Sequence, residues 1–499
     1  MTDLLLTLDA GSGGCKALLF DAAGQEVARS AQPYATEDPQ PGWAELSPAV
    51  VCEQAALAVR EVLDGRDVAQ IRGVGVSAQL GLVAVDDRGD AVTNVLTWMD
   101  KRAQAESAQI EQSYGVEALY EVCGRRVDPE WAACKILWLR TNDPKKYAST
   151  HKFLTLKDYL VCRLTGSFVI DETQASYTML FDVRERKWHD ELFDRLALDR
   201  SKMPDVLPAT AIAGEVNNEA SQKFGVPAGI PVVTGASDGT MAALGAGLTR
   251  ERVAANVVGT TDVFHACTDQ PMFDSKMRTL VTCHALPNTW VQGGPMSTTG
   301  GCLKWFCQKF AQPEMDLASK LRTSPYMLLD KQVDGIDPGA DGLFFFPSLV
   351  GERTPFWNPK ARGVAFGLSL EHDKRHIYRA ILEGSAFAAR QVLEILEEQG
   401  VPVDRIILVG GGAKSRLWTQ IRSDVCNKPV VVPKVEEATA LGTALLVAAS
   451  VGLYPSVDDA IASTLDLTTV IEPIPDNVRA YEALFERYVS MHDSFGGLY

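Results

Sequence analysis

The chain has 499 residues, 46% hydrophobic and 22% charged, a globular balance that excludes a disordered scaffold, and its length predicts about two or three domains. A formal net charge of −16 repels a phosphate backbone, and no basic run overrides it, so nucleic-acid partners are excluded. The ten cysteines form no CxxC pair and read as reduced, structural thiols of a cytoplasmic protein, not as a disulfide or metal framework.

The opening MTDLLLTLDAGSGG lacks the basic start and apolar core of a leader, so the expectation is a mature, unexported chain that begins with a strand. LLLTLDAG, a Gly-Ser-Gly-Gly turn and CKALLFDAAGQEVARSA predict strand, tight turn, strand and a second hairpin turn at Ala23-Gly24. SPAVVCEQAALAVREVL predicts a helix capped by Ser47. IRGVGVSA reads as a strand, and GLVAVDDRGDAVTNVLTW as a hairpin turning at Asp87 to Asp90. Residues 102–225 are mostly helical in pattern, with amphipathic spacing in ACKILWLRTNDPKKY and KDYLVCRLTG.

GIPVVTGASDGT returns to a strand that breaks at Gly235, ahead of a helix near 240–248. Asp238 stands there among small residues, with no countercharge within four residues on either side. Read alone, it is a helix N-cap or a functional carboxylate. ERVAANVVGTTDVFHACT then repeats the strand, small-residue turn, strand pattern of the start, which predicts a duplicated fold. RIILVGGGAKSRLWTQIRSDV is a buried strand running through three glycines into a helix; it matches neither GxGxxG nor GxxxxGK[ST]. The apolar stretch 438–454 is shorter than the roughly 20 residues a bilayer needs and is diluted by Gly, Ser and Thr; a buried helix is expected, and no membrane partner.

LDAGSGG at 8–14 and NVVGTTD at 256–262 can each be a plain tight turn, or can offer backbone N–H groups and hydroxyls to a phosphate. Their equivalent places in two halves suggest a nucleotide gripped between two domains. The glycines at 410–412 let the backbone pass close to a ligand at a helix N-terminus, or form a simple strand-to-helix turn.

These segments together resemble the FGGY carbohydrate kinases of the actin-like, hexokinase-like ATPase superfamily. GERTPFWNPKARGVAFGLSLEHDKRHIYRAILEG, residues 351–384, is similar to the family's C-terminal signature in its GVxFGL core and RAxLEG end. CKILWLRTND, 134–143, resembles the second half of the N-terminal signature, with Ala132 departing from the usual Pro, Ser or Thr. DAGSGGCKALLFD, WMDKRA, LKDYLVCRLTG and GERTP resemble the xylulokinase branch, although QLGL stands where that branch reads Gln-Met-His-Gly. Leu80 and Gly81 thus replace two sugar-contacting side chains, which implies an enlarged pocket.

The resemblance implies an α/β fold of two actin-like (ribonuclease H-like) ATPase domains, 1–245 and 246–499, with the active site in the cleft between them. It implies ATP and Mg²⁺, a sugar or polyol substrate with D-xylulose first, and, by analogy with related kinases, a homodimer. Asp238 falls at the catalytic aspartate, and Asp9 and Asp238 at the metal. Gly11, Ser12 and Gly13 would lie along the phosphates, with Lys16 adding charge there or remaining a solvated strand lysine. Gly259, Thr260 and Thr261 form the second clamp, and Gly411, Gly412, Ala413 and Ser415 the adenosine site. Gln79, Leu80, Gly81, Trp98, Asp100 and Arg102 would surround the sugar, with Asp100 accepting from two hydroxyls and Trp98 offering an apolar face; core tryptophan and surface ion pair are the plainer readings. A kinase for ribulose, L-xylulose, erythritol or ribitol is the alternative. An actin-like ATPase module without a sugar pocket, and a protein that only binds sugar, are the readings from other classes.

Overall fold

The structure, a computed structural model, describes residues 3–296, 298–467, 469–495 and 498. The chain opens on β1 (Leu4–Ala10), β2 (Gly14–Asp21) and β3 (Glu26–Pro33), an antiparallel meander with Gly24 at φ +74° in its second turn. Ser47 caps α1 (Pro48–Leu63) by accepting from the Val50 amide. The chain then returns along β4 (Ile71–Ala78), parallel to β1. With β5 (Ile212–Glu215) and β6 (Pro231–Ser237) the first sheet runs β5-β6-β4-β1-β2-β3. The inner parallel strands are nearly continuous apolar runs, as strands covered on both faces must be, while β3 at the edge is largely exposed.

Residues 102–225 are helical, as expected, but short strands are interleaved, among them Val169–Asp171 paired in parallel with Asp205–Leu207. The expected amphipathic faces are absent. The helix Ala132–Asn142 buries Lys135, and α2 (Leu156–Thr165) buries Lys157 and Asp158 together with its apolar residues. Both are enclosed by neighbouring elements, so their charges find partners inside the fold. α3 (Glu172–Ser176) follows, and α4 (Asp238–Gly245) leaves the end of β6. The four-stranded antiparallel sheet of Glu45–Leu46, Val95–Thr97, Gly81–Val85 and Lys152–Thr155 carries the expected turn at 86–90.

The pattern then restarts. β7 (Arg252–Val258), β8 (Asp262–Thr268), β9 (Leu280–Cys283) and β10 (Trp290–Pro295) form a second antiparallel set, in which β8 pairs with β7 and β10 and β9 lies outside β10, and β11 (Val403–Val409) runs parallel to β7. With β12 (Val430–Val431) and β13 (Val470–Ile471) the order is β9-β10-β8-β7-β11-β12-β13. An antiparallel set of three or more strands with parallel strands on the far side of its first member repeats the first sheet, as the expected duplication requires, although the outer strands of the second set are connected in a different order. α5 (Thr299–Phe310), α6 (Lys374–Glu398) and α7 (Arg416–Cys426) pack with this sheet. All ten cysteines are free and buried, and no helix among the described residues is long and apolar enough to cross a membrane.

α8 (Ala438–Ser450) is the expected buried helix, but it lies on the first sheet, not the second. Thr443 and Val447 sit over Gly75, and Val447 and Val451 over Gly73, where β4 has no side chains. α8 also crosses α4 so closely that a Cβ on Gly245 would strike the Ala438 carbonyl, and one on Gly442 the Met241 carbonyl. Backbone cannot yield as a side-chain tip can, so Gly442→Val is expected to cost at least about 3 kcal/mol. A fall in the urea midpoint at unchanged slope checks this.

Candidate active site

β6 does not run straight into α4. Its register against β4 shifts between Val233 and Ala236, and Gly235 takes φ +75° with the Val76 carbonyl where a Cβ would stand. This is a bulge, a device that re-aims a strand end. Ser237 then caps α4 by accepting from the Thr240 amide, so the cap reading of Asp238 is corrected: Asp238 is the first helical residue. Its Oδ1 accepts from the Gly239 amide at 2.7 Å. Burial and the nearby negative charge of Asp9 raise its carboxyl to about 7. Asp9, at the end of β1, is raised to about 6 by burial, against the Ser77 hydroxyl at 3.0 Å and the Lys16 charge, which pull it down. Among the described residues no group of three or more His, Cys, Asp or Glu side chains is gathered for a metal. Two desolvated, mutually repelling carboxylates fit Mg²⁺, which keeps much of its water and takes one or two carboxylates beside phosphate oxygens.

The first hairpin lies at the carboxyl end of β1, on the same edge of the sheet as Asp238 at the end of β6. Gly11 N–H donates to the Gly14 carbonyl at 2.9 Å. The carbonyl of Gly11 is held by Tyr34 Oη at 2.7 Å and Gln79 Nε2 at 3.3 Å, that of Ser12 by the Thr36 hydroxyl at 3.2 Å, and that of Gly13 by the Tyr34 amide at 3.2 Å. With these carbonyls held, Ser12 and Gly13 form the exposed tip of the hairpin. Gln79 is thus a brace of this hairpin, while its Oε1 stays buried without a partner. Lys16 is paired with Glu437 at 2.8 Å, just before α8, with its side chain still 47% exposed, which agrees with the reading as a solvated strand lysine.

The second sheet repeats the arrangement. Gly259, Thr260 and Thr261 turn at the end of β7, closed by Gly259 N–H to the Thr261 carbonyl at 2.9 Å, and Gly301 N–H holds the Thr260 carbonyl at 2.9 Å. At the end of β11, Gly410 has φ +90° and Gly411 is exposed, whereas Gly412 is buried against Val258 and Trp418 and has a packing role. Ala413 is half-buried, and Ser415 caps α7, accepting from the Trp418 amide at 3.0 Å. A buried network that no local pattern announces ties these two loops. Arg422 on α7 donates to Asp262 Oδ2 and Asn256 Oδ1, each at 2.6 Å, and Thr299 at the start of α5 donates to Asp262 at 3.2 Å.

Beside Leu80 and Gly81 the space is narrow, a void of about 20 Å³ lined also by Glu130, Trp131, Lys135, Gln174 and Tyr177. Trp98 is half-buried, its amide on the Leu80 carbonyl at 3.1 Å and Arg353 over its ring at 5.8 Å. Asp100 needs correction. It is fully buried, and its oxygens take the Ala44 amide at 2.8 Å and the Arg102 guanidinium at 2.7–3.0 Å, so it cannot accept from two hydroxyls as well. Arg102 stacks on Trp43 at 3.6 Å, pairs with Glu45, and lines a separate groove of about 970 Å³. Sequence reasoning missed Glu130, which Arg353 of the GERTP segment reaches at 2.7 Å across 223 residues of chain. It also missed Lys135, fully buried with its ammonium on the Thr97 carbonyl at 2.6 Å and its pKa lowered by burial to about 8.

Residues 4–245 match the FGGY family of carbohydrate kinases, N-terminal domain, and residues 254–451 the C-terminal domain of the same family. The chain belongs to the FGGY family of carbohydrate kinases. It is 31% identical over 495 residues to a gluconokinase of Bacillus subtilis (strain 168), covering 98% of this chain and 96% of that one. It is 29% identical over 491 residues to a xylulose kinase of Lactococcus lactis subsp. lactis (strain IL1403), covering 97% and 95%. The xylulose kinase structure from Rhodospirillum rubrum superposes with a TM-score of 0.91 at 27% identity over 99% of both chains. The FGGY chain therefore has the two-domain, actin-like fold of an ATP-dependent carbohydrate kinase, and its two sheets with their paired hairpins are that duplication.

Proposed function

We propose that this FGGY kinase transfers the γ-phosphoryl group of ATP to a hydroxyl of D-xylulose, giving D-xylulose 5-phosphate and ADP. The observation that carries the reading is Asp238, without an ion pair among the described residues, its carboxyl raised to about 7 at a strand end re-aimed by a bulge. A carboxylate there takes the proton of the attacking hydroxyl as the new O–P bond forms and the bond to ADP breaks. The amides of Ser12, Gly13 and the 259–261 turn would hold the phosphates, and Gly411 and Ala413 would line the adenosine. Asp9 and Asp238 would hold Mg²⁺, which supplies charge neutralisation on the phosphates when bound. Trp98, Leu80, Gly81 and Glu130 border the sugar. Closure of the two lobes, 1–245 and 246–499, at the α4–α8 crossing would exclude water.

A six-carbon sugar acid is the second reading, favoured by the ammonium of Lys135 and the guanidinium of Arg353 beside the sugar end and by the likeness to gluconokinases. ADP release with Mg·ATP is the test, across D-xylulose, D-gluconate, L-xylulose, D- and L-ribulose, ribitol, xylitol, erythritol and glycerol. D-xylulose is expected to rank first in kcat/KM; D-gluconate in first place moves the assignment to the sugar acid, and no turnover with any removes both. Gly81→His is expected to raise the preference for D-xylulose severalfold. A Cβ on Gly81 would stand 2.8 Å from a methyl of Val95, which must shift to admit it. An unchanged substrate ranking would take Gly81 out of the pocket.

A further inference from the structure

We infer that Lys157 and Thr173 are positioning residues for Asp238, holding the strand end that the bulge detaches from its neighbour. This rests on the reading of Asp238 as the base. Between Val233 and Ala236 the ladder of β6 with β4 is broken, and the backbone groups on either side of Gly235 are satisfied elsewhere. Thr234 and Gly235 donate to the carbonyls of Ala211 and Ala209, at 2.8 and 3.1 Å. The Thr234 carbonyl accepts from Lys157 Nζ at 2.7 Å, and the Ser237 amide donates to Thr173 Oγ1 at 3.1 Å. One side chain thus grips the strand just before the bulge and another just before Asp238.

The two grips share a carboxylate. Asp171 Oδ1 lies 3.1 Å from Lys157 Nζ, while its Oδ2 accepts from the Thr173 amide at 2.7 Å and from the Gln174 amide at 3.3 Å, capping α3. Asp158 completes the group, with Oδ1 2.5 Å from Lys157 and Oδ2 taking the Thr155 hydroxyl at 2.5 Å. Lys157, Asp158, Asp171 and Thr173 are all fully buried. Apolar residues of the same volume would avoid the desolvation of three charges. They could not donate to the Thr234 carbonyl or accept from the Ser237 amide, and both groups would be stranded beside the reacting carboxylate.

A misplacement of about 1 Å at a reacting group costs on the order of 10²-fold in rate. Thr173→Val keeps the shape and all three charges and removes only the hydroxyl that accepts from the Ser237 amide, so it tests the idea without depending on whether Lys157→Met folds. It is expected to lower kcat by about 10- to 100-fold with KM for ATP and sugar little changed, and Thr173→Ser to recover most of the turnover. In an Asp238→Asn background Thr173→Val is expected to add almost nothing, since its effect passes through that carboxylate. Wild-type turnover in Thr173→Val, or the same fold loss in both backgrounds, overturns the inference and leaves Asp238 as the base. Near-normal turnover in Asp238→Asn alone overturns the base itself.

Discussion

Asp238→Asn is expected to lower kcat by about 10²-fold or more while ATP still binds with nearly wild-type affinity. The amide keeps the size of the carboxylate and can still meet the Gly239 amide, so the strand end and α4 are undisturbed. What is lost is the ability to take a proton from the attacking hydroxyl. Single-turnover rates and ATP titrations on the same preparation check both halves, and near-normal turnover would remove the role. The same variant should be more stable than the wild type in the absence of ligands. The wild-type carboxyl titrates at about 7 in the fold, against 3.8 for an ordinary aspartate. Between those values the folded state binds more protons than the unfolded one, so stability is present at acid pH and is lost as pH rises through about 7. Asp238→Asn removes that loss. It should melt higher than the wild type at pH 8, and the difference should shrink by pH 5.

Arg422→Met is expected to cost about 3 to 5 kcal/mol of stability, because it leaves the fully buried Asp262 carboxylate without its cation. The methionine fills the space of the arginine stem but cannot donate to Asp262 or Asn256. The loss should also appear in function: Asp262 borders the second hairpin and α7 follows the 410–415 loop proposed to line adenosine, so KM for ATP should rise severalfold while KM for the sugar stays close to wild type. Asp262→Asn in the same chain should return part of the stability by removing the unpaired charge. Urea denaturation and initial rates at varied ATP check the pair, and an unchanged midpoint contradicts it.

What was legible in the sequence was what local chemistry dictates. The two hairpins, the strand break at Gly235, the Ser47 cap and the buried helix at 438–450 each declare themselves within a few residues, because glycine turns, caps and apolar runs are local devices. Partners distant in the chain were not legible. Arg422 meets Asp262 across 160 residues, and nothing around either predicts the other. Periodicity treated Lys135, Lys157 and Asp158 as a wet face, since a charged residue on a helix usually is one; only the packed fold shows them paired inside. The Trp-x-Asp-x-Arg spacing brought Asp100 and Arg102 together correctly, but as partners of one another, with no lone pairs left over for a sugar.

The place of α8 has a consequence for how the protein is made. All the strands of the first sheet have been synthesised by Ser237, yet the helix that covers Gly73 and Gly75 is made only after the 259–261 turn and the 410–415 loop of the second sheet. Until residue 450 emerges, the nascent first lobe carries an open apolar trough, a ready surface for chaperones and for wrong partners. The joint completed so late is the one at which the finished enzyme would flex.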